Sequence, residues 1–152
     1  MFTFTIQPRI GDVDGFGHIN NTVPAFWFET ARNPLFKIFV PDLSISLRSW
    51  PMIMAHTDYD FVAELFFHYE VEIRTFVSRI GAKSFTVGHE AWQQGQLCVK
   101  GHAVVVHYDF NTKQSLPIPE DKKKMLAEHL LPNDSSEGYI PRPLASPAQA
   151  DS

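Results

Sequence analysis

Between residues 67 and 108 the chain alternates apolar and polar side chains in successive blocks separated by short polar turns. Phe67, Tyr69, Val71, Ile73 and Thr75 alternate with His68, Glu70, Glu72 and Arg74. After the turn Ile80-Gly81-Ala82-Lys83 come Phe85, Val87, His89 and Ala91, and after Gln93-Gln94-Gly95-Gln96 a valine-rich run from Leu97 to Tyr108. A period of two sends successive side chains to opposite faces of a strand. Turns this short leave no room for the crossover that parallel neighbours need. The segment therefore predicts an antiparallel sheet, and Met52 to Val62 reads as a weaker strand preceding it.

The N-terminal part switches period. Phe2, Phe4 and Ile6 alternate as a strand, and a glycine-rich turn with Gly11, Gly15 and Gly17 follows. Asn20 or Asn21 can then cap a helix, with Pro24 tolerated in its first turn, where an amide has no partner to lose. Val23, Phe26, Trp27 and Thr30 or Ala31 recur at helical spacing. Asn33-Pro34 ends or kinks this helix, before a continuation through Leu35, Ile38 and Phe39. Near the C-terminus, Pro119-Glu120-Asp121 opens a short helix with Met125, Leu126 and Leu130 on its apolar face. The order β-α-β-β-β-β predicts one α+β domain over residues 1–132, an antiparallel sheet wrapped around a long central helix, with a flexible tail at 133–152.

Composition narrows the function classes. A formal net charge of −4 leaves no electrostatic footprint for nucleic acid. No apolar run reaches the ~18 residues of a membrane span, and the alternating start lacks the charged n-region of a secretory signal. Cys98 is the single cysteine, which excludes an internal disulfide framework and points to a cytoplasmic protein. No metal site is expected, because His102 and His107 lie five apart on a strand and no H-E-x-x-H or C-x-x-C pairing occurs. The serine-hydrolase elbow and both phosphate-loop spacings are missing too.

At the turn-to-helix junction stand Asp12, Asp14, Gly17, His18, Asn20 and Asn21, then Phe28, Glu29, Ala31 and Arg32. This pattern, D-x-D-x-x-G-H-x-N-N followed by F-E-x-A-R, resembles the 4-hydroxybenzoyl-CoA thioesterase-like branch of the hotdog superfamily. Tyr59, the Gly81-Ser84-Phe85 turn, Asp109, Pro117 and Pro119 extend the resemblance over about residues 4 to 130. The sequence departs from it at Pro24, Val62 and Phe66-Phe67. The resemblance implies a hotdog fold, a homodimer or homotetramer with the site between subunits, and hydrolysis of an acyl-CoA thioester to free acid and CoA. It implies no cofactor besides the coenzyme A of the substrate, and it places the catalytic carboxylate on Asp14.

Thioester hydrolysis needs a group that attacks or activates water, and donors for the oxyanion. A helix N-terminus offers free N–H groups and a partial positive charge, and the resemblance makes the Asn21 amide that donor. Asp14, seven residues earlier, can serve as general base or as nucleophile. Asp12, in an extended segment, can share its face and raise its pKa, or hold the turn. Gly17, His18 and Asn20 support the turn, with His18 orienting it or moving a proton. Glu29 either reaches the site across an interface or pairs with Arg32. Phe16, Phe26, Trp27, Tyr59 and Phe61 are candidates for an acyl pocket, and Arg79, Lys83 and Ser84 for contacts to coenzyme A. Two other functions fit the same fold: a hydratase or dehydratase acting on acyl thioesters, and a non-catalytic acyl-CoA-binding module.

Overall fold

The computed structural model describes residues 1–46 and 48–131. The expected tail at 133–152 lies outside the described residues. Strand β1 (Phe2–Ile6) is followed by a single 3-10 turn at Ile10–Asp12, helix α1 (Val23–Ala31) and helix α2 (Asn33–Phe36). Then come β2 (Met52–Phe61), β3 (Val71–Ile80), β4 (Ser84–Gln93), β5 (Gln96–Asp109), the short β6 (Gln114–Ser115) and helix α3 (Glu120–Ala127). The strands run in the order β1-β3-β4-β5-β2, every pair antiparallel, and β6 extends the end of β5. This is the α+β hotdog arrangement, a curled sheet holding one helix against its inner face.

Inner-face positions follow the expected alternation. Val71 and Ile73 of β3, Val87 and Ala91 of β4, and Val99, Ala103 and Val105 of β5 are all buried. Helix α1 presents Trp27, Phe28 and Ala31, one stripe at helical spacing, to Val71, Ile73, Ala91 and Val99. The Phe28 ring lies where a Cβ on Gly101 would come within 3.0 Å of it, so that glycine is what lets the helix sit close to the sheet. A second cluster, with Leu35, Ile38, Met52, Val77, Phe85 and Leu126, closes the other end of the molecule.

Three expectations change. The central helix is not long: α1 has nine residues and α2 only four. Pro34 has no N–H to offer the Thr30 carbonyl, so the helical hydrogen-bond ladder is interrupted there. Phe67 and Tyr69 do not belong to the strand that begins at Val71. Residues 66–69 are held instead by the buried Gln93 side chain, which accepts from the Phe66 N–H at 2.8 Å and donates to the Phe66 and Tyr69 carbonyls at 2.8 and 3.0 Å. Leu130 lies beyond α3, where its segment pairs in parallel with Val77 and lengthens the edge that β1 occupies.

Candidate active site

The Asp14 turn is a small closed loop. A bridge between Val13 and Ile19 shuts it, and the Asp14 N–H donates to the His18 carbonyl at 2.8 Å. One carboxylate oxygen, Oδ1, accepts from the Phe16 N–H at 2.8 Å and the His18 N–H at 3.2 Å. Oδ2 takes no hydrogen bond within the described residues. Gly17 carries φ +83, a left-handed conformation that a side chain would oppose. The turn is therefore built to aim a half-buried carboxylate with one oxygen free.

A second layer fixes the loop. The Ile19 N–H donates to the Leu65 carbonyl at 2.9 Å, and His18 pairs with Phe66 in a bridge and stacks edge-on against its ring. His18 Nε2 lies 3.4 Å from the exposed Glu64 carboxylate. Asp12 is buried, but in the 3-10 turn rather than in extended chain. Its carboxylate accepts the Arg9 N–H at 2.8 Å and pairs with the Arg9 guanidinium at 3.1 Å. Asp12 thus organises the entry to the turn and has Arg9 as its counter-ion.

Helix α1 starts immediately after the loop. The Asn20 N–H donates to the Asp12 carbonyl at 2.8 Å, and the Asn20 side chain accepts from the Thr22 N–H and hydroxyl at 3.0 and 2.8 Å. Neither asparagine is the cap that the sequence suggested: the N-cap is Thr22, without a side-chain capping bond, and the Asn20 carbonyl accepts the Val23 N–H at 3.0 Å, while the exposed Asn21 donates its N–H to no group among the described residues. Pro24, buried in the first turn, removes one amide that would otherwise need a partner.

Other candidates scatter. Phe16, 87% exposed, sits at the tip of the turn. Phe26 and Trp27 line a groove of about 420 Å³ between α1 and the end of β1, with Ile6, Arg9, Val23 and Thr30. Tyr59 stacks on Phe28 with ring centres 6.1 Å apart, whereas Phe61 is exposed at the end of the edge strand β2. Glu29 is exposed on α1 and adds to the charge environment of Arg32. Arg79, Lys83 and Ser84 cluster at the β3–β4 hairpin turn, which Gly81 closes by donating its N–H to the Ser84 carbonyl at 2.7 Å. That turn is at the opposite end of β3 from Val71, nine strand steps or roughly 30 Å from the Asp14 end. One chain does not bring these residues to Asp14.

A buried polar group behind the site was not anticipated. His89 and Arg32 meet under α1, with Arg32 Nη1 3.3 Å from His89 Nε2 and Thr75 Oγ1 3.0 Å from His89 Nδ1. A guanidinium can only donate, so His89 Nε2 accepts and its Nδ1–H donates to Thr75; the imidazole is neutral. Burial, then the Arg32 and His102 charges, push its pKa well below the usual histidine value. The Phe28 ring stacks on it at 4.7 Å. The sequence signal was a histidine among inward-facing positions of β4, which calls for a partner from another element. No group of three or more His, Cys, Asp or Glu among the described residues is placed to hold a metal ion.

A curled antiparallel sheet around a short helix defines the class of hotdog-fold proteins. The thioesterase-like superfamily matches residues 8–128, and the chain belongs to it. A predicted thioesterase from Bacillus stearothermophilus is 40% identical, with a TM-score of 0.81, over 86% of this chain and 96% of its own. A thioesterase from Thermus thermophilus, complexed with coenzyme A and zinc, superposes with a TM-score of 0.70 at 24% identity over 82% of this chain and 95% of its own. The YsmA protein of Bacillus subtilis strain 168 is 23% identical over 122 residues, 80% of this chain and 82% of its own. The protein is a thioester hydrolase.

Proposed function

We propose that the protein hydrolyses acyl-CoA thioesters to a free carboxylic acid and CoA, with Asp14 as the reacting carboxylate and the Asn21 N–H as an oxyanion donor. The observation that carries this reading is a carboxylate with one oxygen held by two turn amides, on a loop tied directly to the α1 start, the other oxygen and the Asn21 N–H having no hydrogen-bond partner among the described residues. Asp14 either takes a proton from water as that water adds to the carbonyl carbon, or adds directly to give a mixed anhydride that water then opens. In both routes the negative charge develops on the carbonyl oxygen and the C–S bond breaks as it collapses. CoA leaves as the thiolate and acquires a proton. A helix-start donor stabilises that oxygen, an effect worth roughly 10²–10³ in rate per donor.

The working unit in this reading is a homodimer joined through β2, or a tetramer of such dimers. Strand β2 is a ten-residue edge with Ile53, Met54 and Phe61 exposed, the kind of edge that pairs with another strand. Antiparallel pairing of two β2 edges brings the hairpin turn of one copy, with Arg79, Lys83 and Ser84, to the end of the joined sheet where the other copy carries Asp14. That supplies basic contacts for the phosphates of coenzyme A in trans. Glu29, Tyr59 and Phe61 then face the same junction from the helix and the edge. The buried unpaired Cys98 suits a reducing compartment such as the cytoplasm.

Thiol release measured over acetyl-, isobutyryl-, decanoyl- and benzoyl-CoA tests the assignment, with wild type beside Asp14→Asn. Asp14→Asn is expected to lower kcat at least a hundredfold, the lower range for losing a positioned acid–base group. Cleavage of no acyl-CoA by wild type, or equal rates in the variant, defeats the reading.

A further inference from the structure

The connection from β2 to β3 is a strap tied to both the sheet and the Asp14 loop. The Val62 and Ala63 N–H groups donate to the Cys98 carbonyl of β5 at 2.8 and 3.0 Å, and the Leu65 side chain is buried in the core. The Leu65 carbonyl accepts the Ile19 N–H at 2.9 Å, and Phe66 bridges to His18. Gln93, the last residue of β4 and only 5% exposed, holds the middle of the strap. Its amide oxygen accepts the Phe66 N–H at 2.8 Å, and its amide nitrogen donates to the Phe66 and Tyr69 carbonyls at 2.8 and 3.0 Å. A primary amide has two N–H donors, so both are spent on these carbonyls. The hairpin turn that follows, with Gln94 at φ 50 and Gly95 at φ 73, is the tight two-residue kind that fixes the strand ends. The clamp therefore stands on the sheet and not on a loop.

We propose that Gln93 is a positioning residue for thioester hydrolysis, acting through residues 65–66 on the Asp14 carboxylate. The inference rests on the proposed role of Asp14, and it adds the group that aims it. The connection is continuous: Gln93 fixes the Phe66 backbone, and Leu65 and Phe66 fix Ile19 and His18. His18 then donates its N–H to Asp14 Oδ1 at 3.2 Å and accepts the Asp14 N–H on its carbonyl at 2.8 Å. Removing the amide leaves one N–H and two carbonyls of the strap without their partner, and unmet backbone groups are costly enough to make the strap shift toward water. A shift of the strap carries His18 with it, and so the turn that orients the carboxylate. Misplacing a reacting group by about 1 Å costs on the order of 10²-fold in rate. Gln93 reaches no reacting atom itself, so its effect falls on kcat and not on substrate binding.

The test is Gln93→Met, which keeps the side-chain length and removes all three bonds, measured well below its Tm on the best substrate among acetyl-, isobutyryl-, decanoyl- and benzoyl-CoA. It is expected to lower kcat about tenfold or more with KM within about threefold of wild type. Gln93→Glu, which keeps an acceptor for the Phe66 N–H and has at most one donor for the two carbonyls, should fall between them and serves if Gln93→Met does not fold. Leu126→Ala, a core truncation in the second cluster, controls for stability: it should lower Tm and leave kcat within about twofold. In an Asp14→Asn background Gln93→Met should cost nothing further, because the two residues act as one unit. By NMR, hydrogen exchange of the His18 and Ile19 amides should speed up about tenfold in Gln93→Met. Wild-type kcat and exchange in the variant, losses that multiply with Asp14→Asn, or an equal kcat loss in Leu126→Ala each overturn the positioning role. Wild-type kcat in Asp14→Asn instead defeats the Asp14 reading, and the exchange rates then decide by themselves whether Gln93 holds the loop.

Discussion

At the scale of single residues, the candidate site was legible where a motif and its local geometry coincide. Asp14 and Gly17 belong to one motif, and the turn explains both: the carboxylate needs two amides folded toward it, and only a residue at φ +83 folds them. The setting of the candidate Asp12 was not legible, because the ion pair with Arg9 arises from a 3-10 turn that no periodicity announces. Gln93 was read as part of a turn, yet it is a buried backbone clamp; a glutamine beside Gly95 gives no sign of which carbonyls it will reach. The Gly17 argument makes a prediction. Gly17→Ala places a Cβ in a conformation that disfavours it by about 1 kcal/mol, with open space around it. The variant is expected to fold, to lose a few degrees of Tm, and to lose at least tenfold in kcat as the Asp14 carboxylate turns. Wild-type kcat would show that the turn conformation does not aim the carboxylate.

At the scale of elements, strands β3, β4 and β5 followed from alternation alone, because one face of each is buried and a half-buried face leaves a period-two record. The helix followed from its apolar stripe, but its length did not: Pro34 could either kink or end it, and the structure interrupts the ladder while continuing the chain into α2. What holds α1 to the sheet is partly polar. Arg32 at its end donates to a neutral His89, which in turn donates to Thr75. The groups facing His89 are Arg32 from α1, Thr75 from β3 and His102 from β5. Because its folded pKa is depressed, unfolding takes up a proton below the unfolded value of about 6.5. The stability that neutral His89 provides is therefore present above that pH and lost as pH falls through it, by up to about 1.4 kcal/mol per pH unit. Thermal melts from pH 7.5 to 5 should show a Tm that drops steadily in wild type, and a shallower drop in His89→Gln. Parallel curves for the two proteins would remove His89 from the account.

At the scale of the whole molecule, the sequence carried the fold class but not the arrangement of the candidate site residues. Arg79, Lys83 and Ser84 lie at one end of the sheet and Asp14 at the other, a separation that no motif spacing reveals, since it depends on which way each strand runs. The two edges of the sheet differ in a way that decides how copies meet. On one side five-residue β1 and the segment at Leu130 cover β3; on the other, β2 presents ten residues of strand edge. The longer edge carries exposed Ile53 and Met54 and has no lysine or proline to blunt it. If β2 is the joint, wild type migrates at about 35 kDa, twice the 17.3 kDa of one chain, or at a multiple of that mass. Ile53→Lys with Met54→Lys puts charge into the exposed β2 edge that the joint would bury and should give a monomer of 17.3 kDa by light scattering. The monomer keeps its own Asp14 loop but loses the partner's hairpin turn, so KM for acyl-CoA should rise at least tenfold. The same monomer should discriminate less between acyl-CoA and the corresponding acyl-pantetheine, which lacks the nucleotide phosphates. A monomer with wild-type KM and unchanged discrimination would put all the coenzyme A contacts within one chain and remove the trans role of Arg79 and Lys83.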